Sequence, residues 1–320
     1  MSAFRVTVPG NLLLAGEYAV LEEGGLGAAL AVEPRLTVTV FPAGDWQLVG
    51  RWTGGGEQWD PESGVPPTFA GSVFLKALEL LEGRGDERGR RWSRIPAARI
   101  EIDSTAFFDA QGRKLGYGSS AALAAGITAA LVRLADREPD AQAHQAAVAA
   151  HRFAQGGAGS GYDVTVSWFG GFGLFRGGAE PRWEPGSLET LPPLALFPGP
   201  EAVRTVGSID RYRAWKAEDT GRAHDFLEAS NAAVRALVRA RDRSALRDAW
   251  DQARLLGLDL GDRIGSLATL DDPDGLPEST FVKALGAGNE TGLAAGFDGS
   301  LPRLPGLTSL RPAAEGLRWE

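Results

Sequence analysis

One segment constrains this chain more than any other. It reads Lys114-Leu115-Gly116-Tyr117-Gly118-Ser119-Ser120-Ala121-Ala122-Leu123 and lies between a strand-like alternation at 98–103 and an alanine-rich helical stretch ending near Leu134. A loop of this composition presents several backbone N–H groups, and the following helix adds the positive end of its dipole. Small residues let phosphate oxygens approach closely, and the paired serines supply hydroxyls for a phosphate or a divalent cation. The glycine spacing matches neither the Walker A loop nor the dinucleotide-binding fingerprint. The competing reading is an ordinary turn, with Ser119 or Ser120 as the helix N-cap.

Two further glycine-rich segments flank it at a distance. Pro9-Gly10-Asn11 reads as a turn after a strand at 4–8 and leads through Leu12-Leu13-Leu14-Ala15 to Gly16-Glu17-Tyr18. Gly286-Ala287-Gly288-Asn289-Glu290-Thr291-Gly292 reads as a turn between a strand at 281–285 and a helix. Alternation predicts strands at 35–41, 98–103, 163–168, 171–176 and 194–197. Helical periodicity predicts helices at 70–82, from the Gly-Ser segment to 134, and at 139–154, 209–217, 222–240 and 243–257. Residues 44–67 read as hairpin and loop, and 83–94, with five arginines, as a solvated loop. The Gly/Pro-rich stretch 177–193 is the candidate interdomain linker.

Composition excludes several classes. The 320 residues contain no cysteine, so disulfides, zinc–thiolate sites, iron–sulfur clusters and thiol nucleophiles are ruled out. A net charge of −8 and the lack of a long basic run argue against nucleic acid as a partner. No uninterrupted apolar window is long enough for a membrane span, and no signal peptide is read at the N-terminus, so a cytoplasmic enzyme is expected. Only four of the 33 basic residues are lysines: Lys76, Lys114, Lys216 and Lys283.

Taken in order, the three glycine segments resemble the signature motifs of the GHMP kinases, a family named for galactokinase, homoserine kinase, mevalonate kinase and phosphomevalonate kinase. Those motifs run Pro-Gly-Lys…Gly-Glu-Tyr/His, Gly-Leu-Gly-Ser-Ser-Ala-Ala and Ser-Gly-Ala-Gly-Gly-Gly-Asp. A narrower resemblance, to the phosphomevalonate kinases, runs through Asp103-Ser104-Thr105-Ala106-Phe107-Phe108-Asp109, Lys114 and His151-Arg152-Phe153-Ala154-Gln155-Gly156-Gly157-Ala158-Gly159-Ser160-Gly161-Tyr162-Asp163-Val164. The resemblance implies an α+β fold of two domains. The first, residues 1–186, is like the second domain of ribosomal protein S5 and binds ATP; the second, residues 187–320, is ferredoxin-like.

It also implies phosphoryl transfer from ATP, with Mg²⁺, to 5-phosphomevalonate, giving 5-diphosphomevalonate. Asp163 is then the catalytic carboxylate, where the alternative is a turn carboxylate satisfying nearby N–H groups. Lys114 is the phosphate-contacting cation or a solvated loop residue. Gly116, Gly118, Ser119, Ser120 and Ala121 cradle the nucleotide phosphates, and Ser120 supplies the hydroxyl for Mg²⁺. The acceptor side draws on Asn11, Glu17, Tyr18, His151, Ser160, Gly161, Arg204 and Thr205. His151 and Arg152 either hold the acceptor phosphate or cap their helix. Glu17 orients a basic residue or a metal-bound water, or is a buried structural carboxylate.

Three departures bear on the activity. The family's usual lysine in the first motif is Asn11, which carries no charge. The third motif is one glycine short and has Asn289-Glu290-Thr291 where Gly-Gly-Asp-Cys is usual. Arg152 stands where mevalonate kinases have a metal-binding Glu, which suits an anionic acceptor. The rival readings are mevalonate kinase, the ATP-dependent diphosphomevalonate decarboxylase, and a GHMP-fold protein that binds its metabolite without turnover.

Overall fold

The computed structural model describes residues 2–82, 95–157, 159–200, 205–286 and 288–320. These gather into two compact units. The first comprises Met1–Asn11, Ala31–Gly170 and Ala313–Glu320; the second comprises Leu12–Leu30 and Gly171–Pro312. The expected arginine-rich loop at 83–94 lies outside the described residues.

Strands β1 (Phe4–Ala15) and β2 (Leu26–Pro42) run through both units. In the first unit they are joined by β3 (Gln47–Trp52), β4 (Gly55–Trp59) and β5 (Ala98–Asp103). The sheet order is β1-β2-β5-β3-β4, with the C-terminal Arg318–Trp319 beside β1. β2 and β5 are antiparallel, β3 and β5 parallel, and β3 turns into β4 through Thr53-Gly54. Val38, Val40, Ile100 and Ile102 are buried on the alternating face that the sequence pattern marks.

Four helices accompany that sheet: α1 (Phe69–Glu82), α2 (Ser119–Leu134), α3 (Ala141–Ala154) and α4 (Tyr162–Phe169). The alanines of α2 let its backbone approach the sheet closely. A Cβ placed on Gly126 would stand 2.7 Å from Val38 Cγ2 and 3.3 Å from Val8 Cγ2, so α2 is seated tightly on β1 and β2. That seating fixes where the N-terminus of α2, and hence the Gly-Ser loop, sits.

In the second unit, β6 (Phe172–Arg176) pairs antiparallel with the Leu26–Leu30 part of β2 and with β7 (Arg182–Pro185). A separate antiparallel sheet is built from β8 (Leu194–Pro198), β9 (Phe281–Leu285) and β10 (Thr291–Ala295), in the order β8-β10-β9, with Thr308–Ser309 on the outer side of β8. Helices α5 (Thr205–Glu218), α6 (Thr220–Arg239) and α7 (Arg243–Ile264) complete the unit. Asp219 and Asp242 cap α6 and α7 by accepting from Arg222 N and Ala245 N.

Three sequence expectations are corrected. Pro9-Gly10-Asn11 is no turn; it lies inside β1, where Asn11 N donates to the Tyr117 carbonyl at 2.9 Å. Residues 163–168 are helix α4 and not a strand. Val164, Thr165, Val166, Ser167 and Trp168 are all buried, so no in–out alternation survives, and packing against α2 and α3 outweighs the β-branched residues' weak preference. The third glycine segment joins two strands, pairing Leu285 with Thr291, and leads into β10 where a helix was expected. The 177–193 stretch contains β7 and a short 3₁₀ turn at Leu188–Thr190.

Candidate active site

The site in the first unit is built on two helix N-termini. Gly118 precedes α2 in the left-handed conformation (φ 69°), and Gly161 does the same for α4 (φ 81°). A side chain at either position would be strained. The N-cap residue of neither helix makes a side-chain cap bond, so the competing reading, with Ser119 or Ser120 as the cap, is not what forms. In α4, Tyr162 N and Val164 N are taken up by Ser160 Oγ and Asp163 Oδ1, and in α2 Ala121 N bonds the Gly118 carbonyl. Ser119, Ser120 and Ala121 lie in the first turn of α2, and Asp163 in the first turn of α4, where a carboxylate is favoured by the dipole.

His151 links the two. It sits in the last turn of α3 and is 2% exposed. Its Nε2 lies 3.3 Å from Ser120 Oγ, and its Nδ1 lies 3.7 Å from Asp163 Oδ2. The Phe69 ring stands edge-on to the imidazole with centroids 6.0 Å apart. Asp163 Oδ1 also accepts from Val164 N at 2.9 Å.

Arg152, next to His151, latches the loop that carries Gly161. Its Nε donates to the Gly159 carbonyl at 2.9 Å and its Nη2 to the Ser160 carbonyl at 2.5 Å. Burial depresses the Arg152 guanidinium below the ordinary arginine value, and the Asp163 charge opposes that shift. Ser160 is buried, and its Oγ accepts from Tyr162 N at 3.4 Å.

Asn11 backs the Gly-Ser loop. It is 2% exposed; Nδ2 donates to Ser167 Oγ at 3.0 Å and approaches the Gly118 carbonyl at 3.4 Å. Its amide therefore ties β1 to α4 and to the turn before α2. Gly116 and Lys114 are exposed, and Lys114 makes a backbone bridge to Phe108.

The second unit holds Glu17 and Tyr18. Glu17 Oε1 accepts from the Lys283 ammonium, and the two side chains are 12% and 4% exposed. Lys283 belongs to β9, which leads into the third glycine segment, so first-motif and third-motif residues line one small cavity with Gly16, Tyr18, Gly286 and Gly288. Lys283 was not among the expected site residues. Its signal was a rare lysine in the apolar run Phe281-Val282-Lys283-Ala284-Leu285. Tyr18 adopts φ 64°, and its ring packs 5.2 Å from that of Tyr212. Burial pushes the Tyr18 phenol up, opposed by hydrogen bonds with Ser266 and Ser208. Arg204 lies outside the described residues, and Thr205 is the first residue of α5.

These features define a class. Residues 72–171 match the family model of the GHMP kinases N terminal domain, and the chain has the α+β fold of the GHMP kinases. The curated relatives that the chain matches are named phosphomevalonate kinases. A phosphomevalonate kinase from Streptomyces sp. (strain CL190) is 30% identical over 182 residues, 51% of this chain. The match spans only 47% of that relative's length. A solved structure of Streptococcus pneumoniae phosphomevalonate kinase, in complex with phosphomevalonate and AMPPNP, superposes with a TM-score of 0.68 at 18% identity, covering 92% of each chain. A Lin0012 protein from Listeria innocua gives 0.78 at 20% identity, covering 100% of this chain and 99% of that one.

Proposed function

We propose that this chain transfers the terminal phosphoryl group of ATP to the phosphate of 5-phosphomevalonate, forming 5-diphosphomevalonate. The observation that carries the reading is the convergence of the Ser120 hydroxyl and the Asp163 carboxylate on His151, each in the first turn of a helix. Phosphoryl transfer needs positioned phosphates and neutralised charge more than covalent chemistry. The turn at Gly116–Ala121 directs N–H groups toward bound phosphate oxygens, and Lys114 adds a cation at its mouth. Asp163 orients the acceptor oxygen and takes its proton where one is present. A phosphomonoester has a second pKa of about 6, so most acceptor oxygens are already ionised and the demand on Asp163 as a base is small.

Among the described residues no group of three or more histidine or acidic side chains is arranged to hold a metal ion. Magnesium does not need one, because it binds through one or two protein oxygens plus substrate phosphates and water. The hard oxygen donors Ser120 and Asp163 fit that pattern. When bound, Mg²⁺ supplies neutralisation of the phosphate charge. The same reading assigns ATP binding to residues 1–186, with a domain boundary near Gly186.

The test is ADP release with 5-phosphomevalonate, mevalonate and 5-diphosphomevalonate in parallel, with CO₂ followed alongside. Turnover with the first alone, without CO₂, is expected. Turnover with mevalonate would make the chain an alcohol kinase, CO₂ release would make it a decarboxylase, and silence with all three would favour a non-catalytic binder. Asp163→Asn should lower turnover ~10²–10⁴-fold, the usual worth of a positioned acid–base group.

A further inference from the structure

We propose that His151 is a positioning residue that fixes the direction of the Ser120 hydroxyl, drawing its proton onto the imidazole and leaving its lone pairs to face the phosphate side of the loop. The inference rests on the kinase reading of that loop and adds a residue that acts through another.

The geometry carries it. The two ring nitrogens face chemically different groups. A carboxylate oxygen accepts hydrogen bonds, so Asp163 Oδ2 at 3.7 Å from Nδ1 favours a proton on that nitrogen. A neutral ring then leaves Nε2 as an acceptor, and Ser120 Oγ at 3.3 Å is the donor it meets. Ser120 lies in the first turn of α2, so no preceding turn of the helix offers its hydroxyl a carbonyl. Here it is the ring on α3, an element 31 residues away in sequence, that engages the hydroxyl.

Burial supports positioning over substrate contact. With 2% of its surface exposed, the imidazole has little face to offer an acceptor phosphate. It is also braced: Phe69 stands T-shaped to the ring, and neighbouring Arg152 is tied to the Gly159 and Ser160 carbonyls. A serine oxygen with its proton turned inward accepts and coordinates but does not donate. The loop then offers N–H donors from its backbone and an oxygen acceptor from Ser120, the pairing that a cation-bridged phosphate requires.

Two measurements test this. The first is ring ¹⁵N NMR of the full chain at pH 8. Only three histidines, His144, His151 and His224, need assignment. Protonated Nδ1 and bare Nε2 at His151 are expected; protonated Nε2 would overturn the proposal. This readout does not depend on turnover, so it stands even if the acceptor assignment fails. The second is a double-mutant cycle with Ser120→Ala and His151→Leu. Each single change should reduce kcat/KM about tenfold, and the double variant should be no worse than either single, as for contacting residues. His151→Gln, which keeps an acceptor, should recover part of the loss. Fully additive losses, or no recovery with Gln, would show that His151 does not act through Ser120.

Discussion

Lys283 and Glu17, 266 residues apart in sequence, form a buried ion pair with side chains 4% and 12% exposed. The Lys283 ammonium also donates to the Ala284 carbonyl at 2.8 Å. The pair joins the first glycine segment to the strand entering the last. Removing one partner strands a charge in a poorly solvated place. Lys283→Met should therefore cost about 3 kcal/mol, while the double change Lys283→Met with Glu17→Gln should cost less, since no charge is left unpaired. Urea unfolding midpoints of the three proteins check the order. A single variant as stable as the parent would show that the pair is well solvated.

Gly118 and Asn11 are packed so closely that a Cβ on Gly118 would lie 2.2 Å from Asn11 Nδ2. The same glycine holds φ 69°. Gly118→Ala meets both a clash and a left-handed backbone, so a loss of about 1–3 kcal/mol is expected. Combining it with Asn11→Ala should relieve the clash and leave the backbone strain. Thermal unfolding resolves the two contributions, and a clash-free Gly118→Ala would show the Asn11 amide free to move aside.

His144 should make stability depend on pH. It is 4% exposed, its Nε2 lies 2.9 Å from Thr165 Oγ1, and burial lowers its pKa to about 4. In the unfolded chain the value returns to about 6.5. As pH falls, the unfolded state takes up the proton first. The contribution is thus fully present above about pH 6.5 and is lost progressively toward pH 4, up to about 3 kcal/mol. Unfolding free energies measured at pH 8, 6 and 4.5 should show this slope, and His144→Gln should flatten it. Parallel curves for the two proteins would remove His144 as its source.

Arg152 should matter through geometry more than charge. Its two carbonyl contacts hold the Gly159–Gly161 loop that starts α4. Arg152→Lys keeps the charge but cannot reproduce the fork. Both Arg152→Lys and Arg152→Met should therefore speed amide exchange at Val164 and Thr165. The loss in local stability should be about 1–3 kcal/mol. Unchanged exchange in the lysine variant would make the charge the operative feature.

Much of this arrangement was legible in the residues. The order of three glycine segments, the alternation of β5 and the alanine pattern of α2 depend on local rules, so they could be read directly. The segment around Asp163 was not legible in the same way. Asp163-Val164-Thr165-Val166-Ser167-Trp168 looks like a strand by composition, yet it folds as a helix because the burial of every residue from Val164 to Trp168 outweighs a propensity worth a few tenths of a kcal/mol per residue. Pro9-Gly10-Asn11 looks like a turn, yet it lies within a strand whose Asn11 N–H finds its partner in Tyr117.

The sequence alone determined which groups this protein has to work with: a small-residue loop before a helix, a carboxylate after Gly161, no thiol, and few lysines. Only the tertiary structure decided which of them meet. His151 faces both Ser120 and Asp163, and Lys283 faces Glu17, because helices and strands far apart in the chain are packed together. Such pairings follow from where whole elements come to rest, and no local periodicity encodes them.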